Sequence, residues 1–137
     1  MDKYRFNILG SENVLGHNIV VIDLIDKDRT ERVVLLKDFC NICAATRNFV
    51  NNIIKESNDI VLGKHIFNIM ESNESLDKLL SLNLISKHMI NGHRTGKMLV
   101  ITRHGCEMIF KKLNLKTRRA IDFMQEKNLN NYFGEYK

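Results

Sequence analysis

From Lys37 to Lys55 the chain reads Lys-Asp-Phe-Cys-Asn-Ile-Cys-Ala-Ala-Thr-Arg-Asn-Phe-Val-Asn-Asn-Ile-Ile-Lys, which sets cations and carboxamides on one side of a helical repeat. Arg47, Asn48, Asn51 and Asn52 are residue types that read base edges. A guanidinium offers guanine two parallel donors, and a carboxamide both donates to and accepts from adenine. A second set suits phosphate oxygens. It comprises Thr46 and Lys55 in the same run, Lys87, Arg94 and Lys97 around a glycine-bearing loop, and Lys111, Lys112, Arg118 and Arg119 near the C-terminus. The chemistry expected of these residues is recognition rather than turnover. The sequence holds no phosphate-cradling GxxxxGKS/T, no GxSxG and no HExxH, so no enzyme is expected. Cys40-Asn41-Ile42-Cys43 has the spacing of a zinc half-site or redox pair, but no second pair accompanies it and His93, His104 and Cys106 are scattered. No metal and no cofactor are expected.

The elements that position these side chains follow from the apolar pattern. Phe39, Cys40, Cys43 and Ala44 recur at helical spacing, and after a short break Phe49, Val50, Ile53 and Ile54 do the same. The run 37–56 is therefore predicted as a helix-turn-helix, with Cys40 as the small residue at the crossing, Ala44-Ala45 as the turn, Thr46 as the cap of the second helix, and Val50 and Ile53 as its anchors. The turn lacks the glycine such turns often contain, and two short amphipathic helices also occur in folds that bind no nucleic acid.

The β-branched runs 18–25 and 31–36 flank polar turn residues 26–30 and predict a hairpin. Runs 84–90 and 97–102 around Asn91-Gly92-His93-Arg94-Thr95-Gly96 predict a second hairpin with a basic tip, similar to the wing of a winged helix. A charged, solvated loop is its plainer reading. Ser72-Asn73-Glu74-Ser75 predicts the cap of a helix through Leu82. Thr102 and Thr117 predict the caps of two basic helices within 103–129, followed by a polar tail expected to fray. The fold expected is α+β, a winged helix-turn-helix-like domain over residues 1–137 with two β-hairpins and about five helices.

The 137 residues carry 21 Lys and Arg against 16 Asp and Glu, a formal charge of +5 and a pI near 9.2. Between Lys87 and Arg119 nine cations face the single carboxylate Glu107, so a polyanion is the expected partner and the C-terminal half its main electrostatic footprint. No apolar run is longer than that of Ile19-Val20-Val21-Ile22, which stops at Asp23, far short of the ~20 residues of a membrane span. The opening Met1-Asp2-Lys3-Tyr4-Arg5 lacks the pattern of a secretory signal, so a cytoplasmic location in a bacterial host is expected. Three cysteines make a disulfide framework a poor reading.

The segment Lys97-Met98-Leu99-Val100-Ile101-Thr102-Arg103-His104-Gly105-Cys106-Glu107-Met108-Ile109-Phe110, with Leu113, Ala120 and Phe123 after it, resembles the C-terminal part of the phage regulatory Rha domain. In that family a strand ends in Thr-Arg-Asp-Gly, a helix follows, and a Gly-Lys-Lys-Ala stretch opens the last helix. Thr102, Arg103, Gly105 and Ala120 match, while His104 replaces the Asp and Lys116-Thr117-Arg118-Arg119 replaces the Gly-Lys-Lys. In order of elements the chain over residues 18–133 is also similar to the AntA and Bro-N antirepressor domains. The resemblance implies a phage or prophage regulator.

The function expected is sequence-preferring binding of double-stranded DNA, with a homodimer supplying enough base contacts for specificity. The alternative is a protein-binding antagonist, an antirepressor or inhibitor of a host factor, that keeps the helix-turn-helix as scaffold.

Overall fold

The computed structural model describes residues 5–27, 29–69, 78, 81, 98–113 and 117–134. The chain opens with three strands, β1 (Arg5–Val14), β2 (His17–Asp26) and β3 (Arg29–Leu35), and then two helices, α1 (Leu36–Cys43) and α2 (Arg47–Glu56). Short strands β4 (Ile66–Asn68) and β5 (Leu99–Thr102) follow, then α3 (Arg103–Leu113), α4 (Arg118–Phe123) and α5 (Glu126–Phe133). The fold is α+β. The ladders between β1, β2, β3, β5 and β4, which neighbour one another in that order, are antiparallel.

The expected hairpin over 18–36 is present as β2 and β3, with a tighter turn in which Lys27 takes a φ of 51°. It has a partner the apolar pattern hid. β1 pairs along the whole of β2 through a turn at Leu15 and Gly16, both at positive φ as a two-residue hairpin turn of this twist requires. The alternation in β1 is clear over Arg5-Phe6-Asn7-Ile8 and then breaks. A bulge places Ile8 opposite Ile22 and Gly10 opposite Val21, leaving Leu9 without a pairing partner in the ladder and 52% exposed.

The sheet is buried on both faces. Ile19 and Val21 of β2, Val34, Ile66 and Ile101 belong to one core cluster, together with Phe39, Cys40, Val50, Cys106, Ile109, Phe123 and Tyr132 from the helices. Their immediate neighbours in sequence, Val20, Ile22, Val33, Leu35, Phe67 and Val100, belong to a second cluster that contains no residue of α1–α5. The strand period of two sorts successive residues to opposite faces, so all five described helices cover one face.

Three expectations are corrected here. The predicted hairpin of 84–90 with 97–102 does not form across β5, because both of its edges are occupied: Val100–Thr102 pair with β3, and Leu99–Ile101 pair with β4. Residues 82–97 themselves, and with them the basic tip, lie outside the described residues; of the helix expected after Ser75 only Lys78 and Ser81 are described, and both are helical. The polar tail expected to fray is instead largely α5, where Leu129 and Tyr132 are buried. Asn-rich composition hid an amphipathic helix. The expected Thr117 helix is divided at Met124 and Gln125 into α4 and α5.

Candidate nucleic-acid interface

α1 and α2 are successive helices joined by the turn predicted at Ala44 and Ala45. Ala44 ends α1 in the left-handed conformation, φ 57° and ψ 40°, where a glycine is the usual occupant, and Ala45 N–H returns to Cys40 O at 2.9 Å. Thr46 is extended and caps α2, its Oγ1 accepting from Phe49 N–H at 3.3 Å. Cys40 and Val50 are buried, and Ile53 packs against the same core.

The last turn of α1 holds no cation of its own. Its carbonyls are met from 74 to 78 residues away: Thr117 Oγ1 donates to Cys43 O at 2.8 Å and the Arg119 guanidinium donates to Asn41 O. Arg119 also lies 2.6 Å from His17 Nε2. Thr117 does double duty, since its Oγ1 accepts from Ala120 N–H at 3.1 Å and so caps α4. A cation at a helix C-terminus interacts favourably with the unpaired carbonyls there.

With α2 fixed in this way, Arg47, Asn48, Asn51, Asn52 and Lys55 all border one open groove of about 1060 Å³, between α2 and the β4–β5 end of the sheet. Arg47, Asn48, Asn52 and Lys55 are exposed, and Asn51 is half-buried. Lys37, in the first turn of α1, borders the groove too and was not among the expected site residues. It is a lone lysine beside an apolar run in the sequence, and only the packing of α1 against α2 puts it beside Arg47 and Lys55. Among the described residues no carboxylate borders this groove.

The remaining expected phosphate ligands stand elsewhere. Lys111, Lys112, Arg118 and Arg119 are exposed but do not border the groove. Lys112 Nζ pairs with Asp59 Oδ1 at 3.2 Å, which holds the Asp59 carboxyl below its ordinary value. Arg119 is engaged at the end of α1, so two of the four cations already have protein partners. Lys87, Arg94 and Lys97 lie outside the described residues.

The Thr102–Gly105 segment, which carries the family resemblance, works as a joint. Thr102 is buried and its Oγ1 accepts from Gly105 N–H at 3.0 Å, capping α3 as expected. Arg103 is 6% exposed, and its Nη1 donates to Asn130 Oδ1 at 2.7 Å and to Gly134 O at 2.9 Å, tying the start of α3 to the end of α5. Gly105 sits so close to the strands that a Cβ there would stand 2.7 Å from His65 O and 2.8 Å from Ile101 Cγ2. Beside it, buried His65 accepts at Nδ1 from Val61 N–H at 3.1 Å, and its ring lies 5.3 Å from that of His104. Burial, with His104 and Lys64 nearby, depresses the His65 pKa from its ordinary 6.5.

Cys40, Cys43 and Cys106 share the helical core. Burial pushes the Cys40 thiol up to about 11 and Cys43 to about 12, and raises Cys106 well above its ordinary range. Such thiols are protonated at neutral pH and are poor metal ligands and nucleophiles. Among the described residues no group of three or more His, Cys, Asp or Glu side chains is placed to hold a metal ion, and no helix is long and apolar enough to cross a membrane. No protein-family model, no curated protein and no solved structure matches the chain.

Proposed function

We propose that the protein is a non-enzymatic regulator, of the phage or prophage kind that the Thr102 segment resembles, which binds double-stranded DNA with sequence preference as a homodimer. The observation that carries this reading is the polar face of α2. A helix set by a three-residue turn carries Arg47, Asn48, Asn51, Asn52 and Lys55 along one border, joined by Lys37, with no carboxylate among the described residues there to repel a polyanion. Arg47 and Asn48 occupy the first turn of α2, the part of a recognition helix that reaches base edges first. Lys55, Lys111 and Arg118 supply exposed cations for the phosphate backbone, and Thr46 stands at the N-terminus of α2.

The test is a salt titration of binding to random and defined duplexes by fluorescence anisotropy. Binding should weaken steeply with salt, in proportion to the number of phosphates neutralised. Lys111→Ala should weaken all duplexes alike and lower the salt slope by about one. Arg47→Ala with Asn48→Ala should narrow the gap between preferred and random duplexes. Duplex affinity that is unchanged by the α2 pair would remove α2 as the reading helix, and no duplex binding at low salt would favour the protein-binding antagonist.

A further inference from the structure

The groove beside α2 has a character that duplex DNA does not use. Its floor is apolar: Ile54 and Leu99 are half-buried, Leu62 is 57% exposed, and buried Ile60, Ile66 and Met98 lie beneath. Its rim carries Lys37, Arg47 and Lys55. At about 1060 Å³ it lies at the upper end of the ~300–1,000 Å³ typical of small-molecule pockets, with room for several side chains. No aromatic residue lines it among the described residues, so it offers no stacking platform for unpaired bases.

An apolar floor inside a cationic rim is complementary to a polypeptide with leucine-like side chains on one face and carboxylates on the other. We infer that the groove between α2 and the β4–β5 end of the sheet docks an acidic amphipathic segment of a partner protein, and that docking competes with DNA for α2. The competition follows from geometry. Arg47, Asn48, Asn52 and Lys55 border the groove, so a segment held at the rim covers the side chains that base edges and phosphate would meet. The docking stands on the groove alone, whereas the competition rests on the DNA reading above and names its regulator.

The experiment uses the full chain and a labelled helical peptide of about four turns, with leucines at i, i+3 and i+4 spacing and glutamates elsewhere. Controls keep the composition but scramble the order, or replace every glutamate by lysine. The glutamate peptide should bind and both controls should bind at least about tenfold more weakly. Leu62→Glu should weaken it by about tenfold or more, and its exposure makes this variant one that folds. Unlabelled glutamate peptide should displace a labelled duplex.

Equal binding of the ordered and scrambled peptides, or indifference to Leu62→Glu, overturns the docking. So does a concentration-dependent dimer that Leu62→Glu dissociates, because a second copy then fills the groove. Simultaneous binding of peptide and duplex overturns the competition. Peptide binding without any duplex binding upholds the docking and instead sinks the DNA reading.

Discussion

Asp38 in α1 accepts a hydrogen bond from Val20 N–H in β2 at 2.9 Å, and the carboxylate is only 4% exposed. The β2–β3 ladder runs from Asp26 opposite Arg29 to Ile22 opposite Val33 and stops there. Two positions further along, Val20 would stand opposite Leu35, but the ladder has ended by then and the chain after Leu35 turns into α1. The buried backbone of Val20 is satisfied by side chains instead, its N–H by Asp38 and its C=O by the Tyr132 hydroxyl at 3.1 Å. The same hydroxyl lies 2.8 Å from Val33 O, so α1 and α5 together close the gap where the sheet splays.

Removing the acceptor should cost more than removing the charge. Asp38→Ala leaves Val20 N–H buried and unpaired, and a loss of about 1–3 kcal/mol is expected in chemical denaturation. Asp38→Asn keeps an acceptor oxygen. Burial raises the Asp38 pKa above its ordinary 3.8 against the opposing effect of the Val20 bond, so the folded state favours the proton. That contribution is full below pH 3.8 and is lost as pH rises through the folded value. The stability of Asp38→Asn should therefore gain on the natural protein as pH rises across that window, and a constant difference would refute the account.

Ala44→Gly should stabilise the protein. An L-residue in the left-handed conformation costs roughly 1–2 kcal/mol, and glycine avoids this at an unfolded-state entropy cost of ~0.4–1 kcal/mol. A net gain of about 0.5–1 kcal/mol is expected because the strain outweighs the entropy. A lower midpoint in thermal denaturation would contradict it.

Gly105→Ala sets helix propensity against space. Alanine is favoured by ~1 kcal/mol inside a helix, yet its Cβ would meet a backbone oxygen, His65 O, that cannot swing aside. Overpacking of this kind costs about 1–3 kcal/mol, so net destabilisation is expected. Equal or greater stability of the variant would show that β4 and α3 can part without loss.

His65 should make stability sensitive to mild acid. Its folded pKa is below 6.5, so the stability it contributes is full above pH 6.5 and is lost as pH falls through the folded value. Thermal midpoints measured from pH 7.5 to 5 should fall for the natural protein and fall less for His65→Gln. Parallel curves would assign the dependence to other groups.

The resemblance over Thr102–Gly105 also gains a physical meaning. Thr102 caps α3, Arg103 fastens α5, and Gly105 permits the approach of α3 to β4, so the matching residues hold helices to the sheet. His104, where the sequence departs from the motif, is exposed. The match is thus in parts that build the fold, and the polar residues proposed to read bases lie on another element, α2.

The sequence by itself determined the local devices. Thr46, Thr102 and Thr117 are caps because a hydroxyl beside a helical run accepts from the first free amides, and α1 and α2 follow from apolar spacing alone. Strands β2 and β3 were legible from their β-branched runs. The bulge at Leu9 obscured β1, and β4 is too short at Ile66–Asn68 to carry a period.

Only tertiary structure decided which cations meet. Lys37 joins Arg47 and Lys55 because α1 packs across α2, while Arg119, read as a phosphate ligand, turns instead to the end of α1. Charge and helical phase are properties of a segment. Which carbonyl or amide lacks a partner is settled only when distant segments pack, and that need drew Asp38 and Tyr132 to buried groups and Arg119 to the exposed end of α1.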